Sequence, residues 1–146
     1  MMKKVILNGV DLKIEDVVNV ARRGYAVEID PACMAHIAEV RSYMEREWME
    51  AAPAVYGFNT GLGKHKDHKV SIEESDLHQY RTVLSHCGGV GDPAPEEVVR
   101  AEMCVRLNAF CRGVSGLRPE VVERLTLMLN RGVHPVVPWQ GSVGAC

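Results

Sequence analysis

The sequence predicts a mainly helical protein with a small α+β part at its N-terminus. Three observations lead to this prediction. Apolar residues recur at helical spacing in five separate segments, and helix-start and helix-stop residues bound those segments. Two short apolar runs near the N-terminus have the length of β-strands. The 146 residues suffice for one domain, or a part of one, with an ordinary buried core.

The N-terminal part is predicted to alternate between strand and helix. Lys4–Leu7 is a short apolar strand, and the apolar stripe over Ile14–Arg23 predicts a helix that the following glycine ends. Ala26–Ile29 alternates and is the second predicted strand. Asp30-Pro31 combines a capping side chain with a proline at the first helical position, so a helix is expected from there to about residue 50.

Three more helices are predicted after a glycine-rich stretch over residues 53–70. The pattern Ser-Ile-Glu-Glu at 71–74 is a capping box, and it opens a helix that reaches about residue 84. Further helices are expected near 96–112 and 119–131, each stopped by the glycine that follows it.

Glycine-rich runs interrupt these helices near residues 56–63, 85–91 and 141–146. Clustered glycine outside simple turns indicates unusual backbone dihedrals or a close approach, because glycine carries an entropic cost elsewhere. Glycine content alone leaves three ordinary loops as the alternative. Each run contains one side chain with reactive chemistry, namely Tyr56, His86 and Cys146.

The composition excludes several classes of function. A net charge of −2 provides no field that recruits nucleic acid or an anionic membrane surface. No apolar run approaches the roughly 18 residues that a membrane-spanning helix needs. The cysteines are odd in number and lack paired spacing, so mostly buried, reduced thiols in a cytoplasmic protein are expected. They are Cys33, Cys87, Cys104, Cys111 and Cys146.

Tyr56 stands at the entrance of the first glycine-rich run. That run is not a phosphate-binding loop, because Lys64 is followed by His65 rather than by serine or threonine. A tyrosine normally titrates near pH 10, but backbone N–H groups in an amide-rich loop stabilise its phenolate. The residue alone therefore leaves both a catalytic tyrosine and a packed aromatic side chain open.

Four motifs, in order along the chain, resemble the aromatic amino acid ammonia-lyase family. The run Tyr-Gly-Phe-Asn-Thr-Gly-Leu-Gly at 56–63 is similar to the tyrosine loop of that family, and Leu-Ser-His at 84–86 resembles its histidine branch. Arg-Leu-Asn-Ala at 106–109 also fits. So does Gly-Val-His-Pro at 132–135, which leads into the small residues at 141–145.

The resemblance implies that residues 1–146 are the N-terminal segment of the helical ammonia-lyase fold. Within it, about 1–112 would be an α+β substrate-loop part and about 113–146 the start of the central helical part. In the family such a segment is only the first quarter to third of the chain. We therefore expect a second chain that carries the remainder of the fold, and assembly into a homotetramer.

The same resemblance implies a cofactor made from the backbone, a 4-methylidene-imidazol-5-one. It would form autocatalytically from Ala145, Cys146 and a following glycine, which this sequence does not contain. The family has serine where this chain has Cys146. The cysteine β-carbon can lose hydrogen sulfide instead of water and give the same methylidene group, although a plain structural thiol is the alternative.

By resemblance, Tyr56 is the base that removes the substrate β-proton. His86, Leu62 and Gly63 fall on substrate-binding positions, and Leu62 replaces a common phenylalanine. The histidine at 86 favours L-histidine as the substrate, converted to urocanate and ammonia, because an imidazole can hydrogen-bond another imidazole. A buried histidine bonded to backbone is the structural alternative for His86.

The sequence also leaves further functions open. They are a phenylalanine or tyrosine ammonia-lyase, a 2,3-aminomutase of the same family, and a non-catalytic truncated paralogue that acts as an interaction subunit. His65, His68 and His78 make a poor zinc site, because no cysteine or carboxylate set accompanies them. We expect His65 and His68 to lie on a solvated loop, and no metal ion to be bound.

Overall fold

The protein is represented by a computed structural model that describes residues 3–48 and 53–141. These residues form two compact units. The first comprises 3–41 and 90–140, and the second comprises 42–48, 53–89 and Gly141. The described part is mainly helical, as predicted.

The helices and strands lie close to their predicted positions. Within the described residues they are β1 (Lys4–Leu7), α1 (Ile14–Arg23), β2 (Ala26–Ile29), α2 (Pro31–Trp48), α3 (Ile72–Ser85), β3 (Val90–Pro93), α4 (Glu96–Phe110), α5 (Pro119–Asn130) and β4 (Pro138–Gln140), with a 3-10 turn at Gly63–His65. The sequence did not predict β3, β4 or the 3-10 turn. No helix in the described ranges is long and apolar enough to cross a membrane.

The first unit begins with a parallel pair of strands, β1 and β2, with Lys4 opposite Ala26 and Leu7 opposite Ile29. A parallel pair needs a crossover connection, and α1 supplies it. The free edge of β2 is closed by the last residue of α5. Asn130 Oδ1 accepts a hydrogen bond from Val27 N at 2.7 Å, and Asn130 Nδ2 donates to Val27 O at 2.8 Å.

The hydrophobic core of the described chain lies in this first unit, where helical apolar stripes meet the two strands. Arg100 ties three of the helices together, because its guanidinium donates to Leu129 O at 3.2 Å and to Val20 O at 3.0 Å. The buried apolar residues are Val5, Leu7, Val20, Val27, Ile37, Val99, Met103, Cys104, Leu107, Cys111, Val122 and Leu129.

Two of the cysteines belong to this core. Burial raises the pKa of Cys104 to about 11 and that of Cys111 to about 12. The Cys111 thiol donates to Leu7 O at 3.5 Å, and the Cys33 thiol donates to the next carbonyl, Asn8 O, at 3.4 Å. The described thiols are all free, and Cys87 is the exposed one.

Helix α3 lies in the second unit and begins with the predicted serine cap. Ser71 Oγ accepts a hydrogen bond from Glu74 N at 3.3 Å. Backbone N–H donation at the same helix start, together with the Ser71 hydroxyl, lowers the pKa of the Glu73 carboxyl. The cap therefore fixes where α3 begins, and with it which side chains lie on each face of the helix.

Candidate active site

The tyrosine loop is held by the side chain of Asn59. Its Oδ1 accepts a hydrogen bond from Val55 N at 2.7 Å. Its Nδ2 donates to Pro53 O at 3.2 Å and to Trp48 O at 3.4 Å. One amide thus ties together the end of α2 and both sides of the turn that carries Tyr56.

Thr60 and the glycines around it complete the loop. Thr60 is buried, and its Oγ1 donates to Gly61 O at 3.0 Å and accepts from Gly57 N at 3.3 Å. Gly57 has a φ of +75°, which favours glycine. At Gly61 a Cβ would lie 2.6 Å from His65 Cβ and 2.7 Å from His65 O, so the close approach requires glycine.

Tyr56 itself is 65% exposed in the described part of the chain. The ring contact in its neighbourhood involves Phe58 instead, whose ring meets that of Trp48 edge to face with centroids 5.9 Å apart. Tyr56 is thus not packed against the described part of the chain, and its role stays a prediction. Tyr56 is presented on the surface of an otherwise well-tied loop.

A pocket of about 400 Å³ lies between this loop and one face of α3. Its α3 residues are spaced by four, three and one positions, which places them on one helical face. Leu62 and His86, two of the residues proposed from sequence, line it together. Gly63 and Tyr56 do not line it. The lining residues are Gly61, Leu62, His65, His68, Val70, His78, Thr82, Ser85 and His86.

The last turn of α3 places His86. Its Nδ1 lies 2.7 Å from Thr82 O and 3.1 Å from Ser85 Oγ. The Ser85 hydroxyl donates to the same Thr82 carbonyl at 2.8 Å. His86 is exposed, so it is not a buried histidine, although one ring nitrogen is bonded to backbone.

The third glycine-rich run approaches the segment that follows His86. A Cβ on Gly141 would lie 2.7 Å from Gly88 O and 2.8 Å from Gly89 Cα. Only glycine allows this contact, which brings the chain leading to Ala145 beside residues 88–89. Ala145 and Cys146 themselves lie outside the described residues.

The sequence interpretation missed several lining residues. His65 and His68 are exposed on their loop, as expected, yet with His78 they also face the pocket. The spacing of His78, Thr82, Ser85 and His86 was the signal that could have indicated a polar helix face. Among residues 3–48 and 53–141, no group of three or more His, Cys, Asp or Glu side chains could hold a metal ion.

The chain is similar in sequence to a family of known enzymes. The family described as "Aromatic amino acid lyase" matches residues 12–146. The histidine ammonia-lyase of Alkaliphilus metalliredigens is 43% identical over 144 residues, which is 99% of this chain. The chain therefore belongs to the aromatic amino acid lyase family.

Solved structures agree with the assignment. Ergothionase from Treponema denticola superposes with a TM-score of 0.91 at 31% identity over 97% of this chain and 28% of its own. Tyrosine aminomutase from Streptomyces globisporus gives 0.91 at 33% identity, over 97% and 27%. The chain spans 28% of the length of the Alkaliphilus relative. It thus corresponds to one segment of the proteins it resembles.

Proposed function

We propose that the protein to which this chain contributes is an ammonia-lyase that eliminates ammonia from L-histidine and forms urocanate. The observation that carries the proposal is the pocket in which Leu62 and His86 meet. Both residues fall on substrate-binding positions suggested by the motifs. A concave site of this volume, which combines six polar side chains with the apolar ones of Leu62 and Val70, suits a single small amino acid.

In this proposal Tyr56 is the base that takes the substrate β-proton. Hydrogen bonds of Asn59 and Thr60 hold its loop, and its side chain is exposed, so the phenol can meet a substrate. His86 contacts the substrate side chain, with Leu62 as an apolar surface in the same pocket. Gly63 is assigned to substrate binding on the resemblance alone. Proton removal and side-chain recognition are thus assigned to two different elements.

Elimination also needs an electrophile, because an amine is a poor leaving group. The methylidene-imidazolone, which Ala145 and Cys146 would form with a following glycine, supplies that electrophile when present. The contact of Gly141 with Gly88 and Gly89 supports this assignment. At position 141 there is no room for a side chain, because Gly141 lies directly against the residues that follow His86.

The complete catalytic unit in this proposal extends beyond the present segment, in keeping with the length of its relatives. Residues 113–146 would begin the central helical part, and residues 1–112 the substrate-loop part. We further propose a homotetramer in the cytoplasm, where the free thiols stay reduced.

The second candidate is a tyrosine-directed enzyme of the same family, either a lyase or a 2,3-aminomutase. The superposition on tyrosine aminomutase is the observation that favours it. Against it, this chain has Ser85 where the resemblance places a histidine in tyrosine-selective relatives. A non-catalytic interaction subunit is the outcome if the complete protein releases no ammonia.

The experiment that tests the proposal is the Tyr56→Phe substitution in the complete protein. Losing the base is expected to reduce ammonia release from L-histidine by at least about a hundredfold, with an unchanged circular dichroism spectrum. Tyr43→Phe is the matched control, since a phenylalanine there keeps the edge contact with Trp48. Full turnover in Tyr56→Phe would remove Tyr56 from the mechanism.

A further inference from the structure

Two cysteine thiols from different helices lie at the end of β1, in the first unit. Cys33 is in the first turn of α2, and Cys111 directly follows the last residue of α4. The Cys33 thiol donates to Asn8 O at 3.4 Å, and the Cys111 thiol donates to the preceding carbonyl, Leu7 O, at 3.5 Å. Because the two acceptors belong to consecutive residues, both sulfur atoms lie beside the same short piece of backbone.

Backbone contacts hold the two cysteine-bearing segments at this place. Asp30 N, directly before α2, donates to Leu7 O at 3.0 Å. On the side of α4, Asn108 Oδ1 accepts a hydrogen bond from Gly9 N at 2.9 Å. A Cβ on Gly9 would lie 3.3 Å from the carbonyl carbon of Cys111, so the end of α4 lies directly against the chain that leaves β1.

The two thiols also interact with each other. Burial and the nearby Asp30 carboxylate raise the pKa of Cys33, and a hydrogen-bond interaction with Cys111 lowers it in part. Burial raises the pKa of Cys111, and its interaction with Cys33 raises it further. For Cys104, in contrast, burial and Asp16 raise the pKa, and no second thiol takes part. Cys33 and Cys111 are therefore direct neighbours.

The members of this pair differ in access to solvent. Cys33 is half-buried, whereas Cys111 is only 3% exposed. A reagent in solution therefore meets Cys33 first, and Cys111 is placed to react with whatever forms on the Cys33 sulfur.

We propose that Cys33 and Cys111 are a modification site at which the folded protein forms an intramolecular disulfide with a low-molecular-weight disulfide, such as oxidised glutathione, as oxidant. The Cys33 thiolate attacks one sulfur of the oxidant, whose S–S bond breaks and releases the first glutathione. The Cys111 thiolate then attacks the Cys33 sulfur, which forms the protein disulfide and releases the second glutathione. The two protons of the protein thiols end on the two glutathiones, so two protein thiols are oxidised and one small disulfide is reduced.

The new bond closes the chain from residue 34 to residue 110 into a loop. This loop contains residues 42–89 of the second unit, while both cysteines belong to the first. Closing a long loop restricts the unfolded chain and stabilises the folded one. Exchange requires the thiolate, and burial holds the pKa of Cys33 above its ordinary value, so the first step is slow at neutral pH. We therefore expect the pair to stay reduced under reducing conditions and to respond to sustained oxidation.

The site is tested by peptide mapping of the complete protein after incubation of the folded form with oxidised glutathione. Remaining thiols are alkylated after denaturation. Trypsin releases Cys33 in peptide 24–41, Cys111 in peptide 107–112 and Cys104 in peptide 101–106. We expect 24–41 and 107–112 as one linked species that dithiothreitol separates. Absence of this species, or a link of 24–41 to 101–106 instead, overturns the proposal.

Single substitutions test the order of the two steps. In Cys111→Ser the second thiol is missing, so the glutathione adduct of Cys33 should increase several-fold over that in the unsubstituted protein. In Cys33→Ser, buried Cys111 should stay a free thiol. Cys87→Ser is the matched control, because Cys87 is exposed and its thiol donates to Val83 O, so the link should persist. A glutathione adduct on Cys111 in Cys33→Ser, or loss of the link in Cys87→Ser, overturns the proposal.

The stability of the two redox forms tests whether the folded chain accommodates the bond. The oxidised protein should unfold at a higher urea concentration than the reduced protein, with an unchanged circular dichroism spectrum, because the closed loop restricts its unfolded state. Dithiothreitol should return the midpoint to that of the reduced form. A lower midpoint after oxidation contradicts the placement of the two thiols as partners.

Discussion

The conformation of the tyrosine loop depends on a few side chains and on Gly61, where the backbone of His65 leaves no space for a Cβ. The Asn59 side chain pairs one backbone amide, that of Val55, and two backbone carbonyls, those of Trp48 and Pro53. Gly61 lets the 3-10 turn at Gly63–His65 fold back against it. The position of Tyr56 is consequently set by residues that take no part in the chemistry.

Gly61→Ala tests this dependence. The new Cβ would meet the backbone of His65 and force the loop open, so we expect a loss of about 1–3 kcal/mol in the free energy of unfolding and a large fall in activity. Gly88→Ala is the control, because nothing lies within 4 Å of its Cβ position. Equal behaviour of the two variants in urea denaturation and turnover would contradict the account.

The cysteines give a second prediction at the residue scale. With a pKa of about 11, the Cys104 thiol is roughly one-thousandth ionised at pH 8, and Cys111 less. Iodoacetamide should therefore label exposed Cys87 and spare these two, as peptide mapping by mass spectrometry would show. Comparable labelling of Cys104 in the folded protein would argue against its burial.

The sign of the pH effect on stability follows from the same pKa shifts. Both thiols have a pKa above the ordinary value of about 8.5. Burial of the neutral thiols therefore makes its full contribution to the free energy of unfolding below about pH 8.5. The contribution is lost as the pH rises through about 11.

At the scale of elements, the edge of β2 depends on the end of α5. Asn130→Ala removes both hydrogen bonds to Val27, a buried residue, and should cost about 1–3 kcal/mol in unfolding free energy. Asn19→Ala is a suitable control, since within the described ranges its side chain bonds to exposed Arg23 alone, and its loss should cost less than about 0.5 kcal/mol. Matching urea midpoints for the two variants would contradict the role of Asn130.

The helices were predictable because their signals are local. The Ser71 cap, the glycine after α1 and the proline that opens α5 all act within a few residues of the helix ends they set. β3 and β4 were not predictable in this way. Val90 pairs with Gln140, fifty positions away, and Pro93 and Pro138 suppress any local strand pattern.

In the candidate site, too, local motifs were predictable from the sequence and long-range contacts were not. The resemblance supplied Leu62 and His86, which the structure places in one pocket. From sequence, His65, His68 and His78 are a poor metal site, and His65 and His68 belong to a solvated loop. Their shared pocket depends on how the loop lies against α3, which no local pattern encodes.

On the scale of the whole molecule, the two units differ in what stabilises them. The buried apolar core belongs to residues 3–41 and 90–140. In the second unit α3 has no buried residue, and Leu77, Tyr80, Val83 and Leu84 are exposed on it. We propose that the rest of the complete enzyme covers this helix, which would also enclose the pocket and exclude water from it.

The central claim is that this chain supplies the substrate pocket of an ammonia-lyase. The most direct measurement is product formation by the complete protein, with L-histidine, L-tyrosine and L-phenylalanine assayed separately by the absorbance of the conjugated acrylate. We predict urocanate from histidine, with little or no product from phenylalanine. No acrylate from any of the three, or cinnamate alone, would contradict the account.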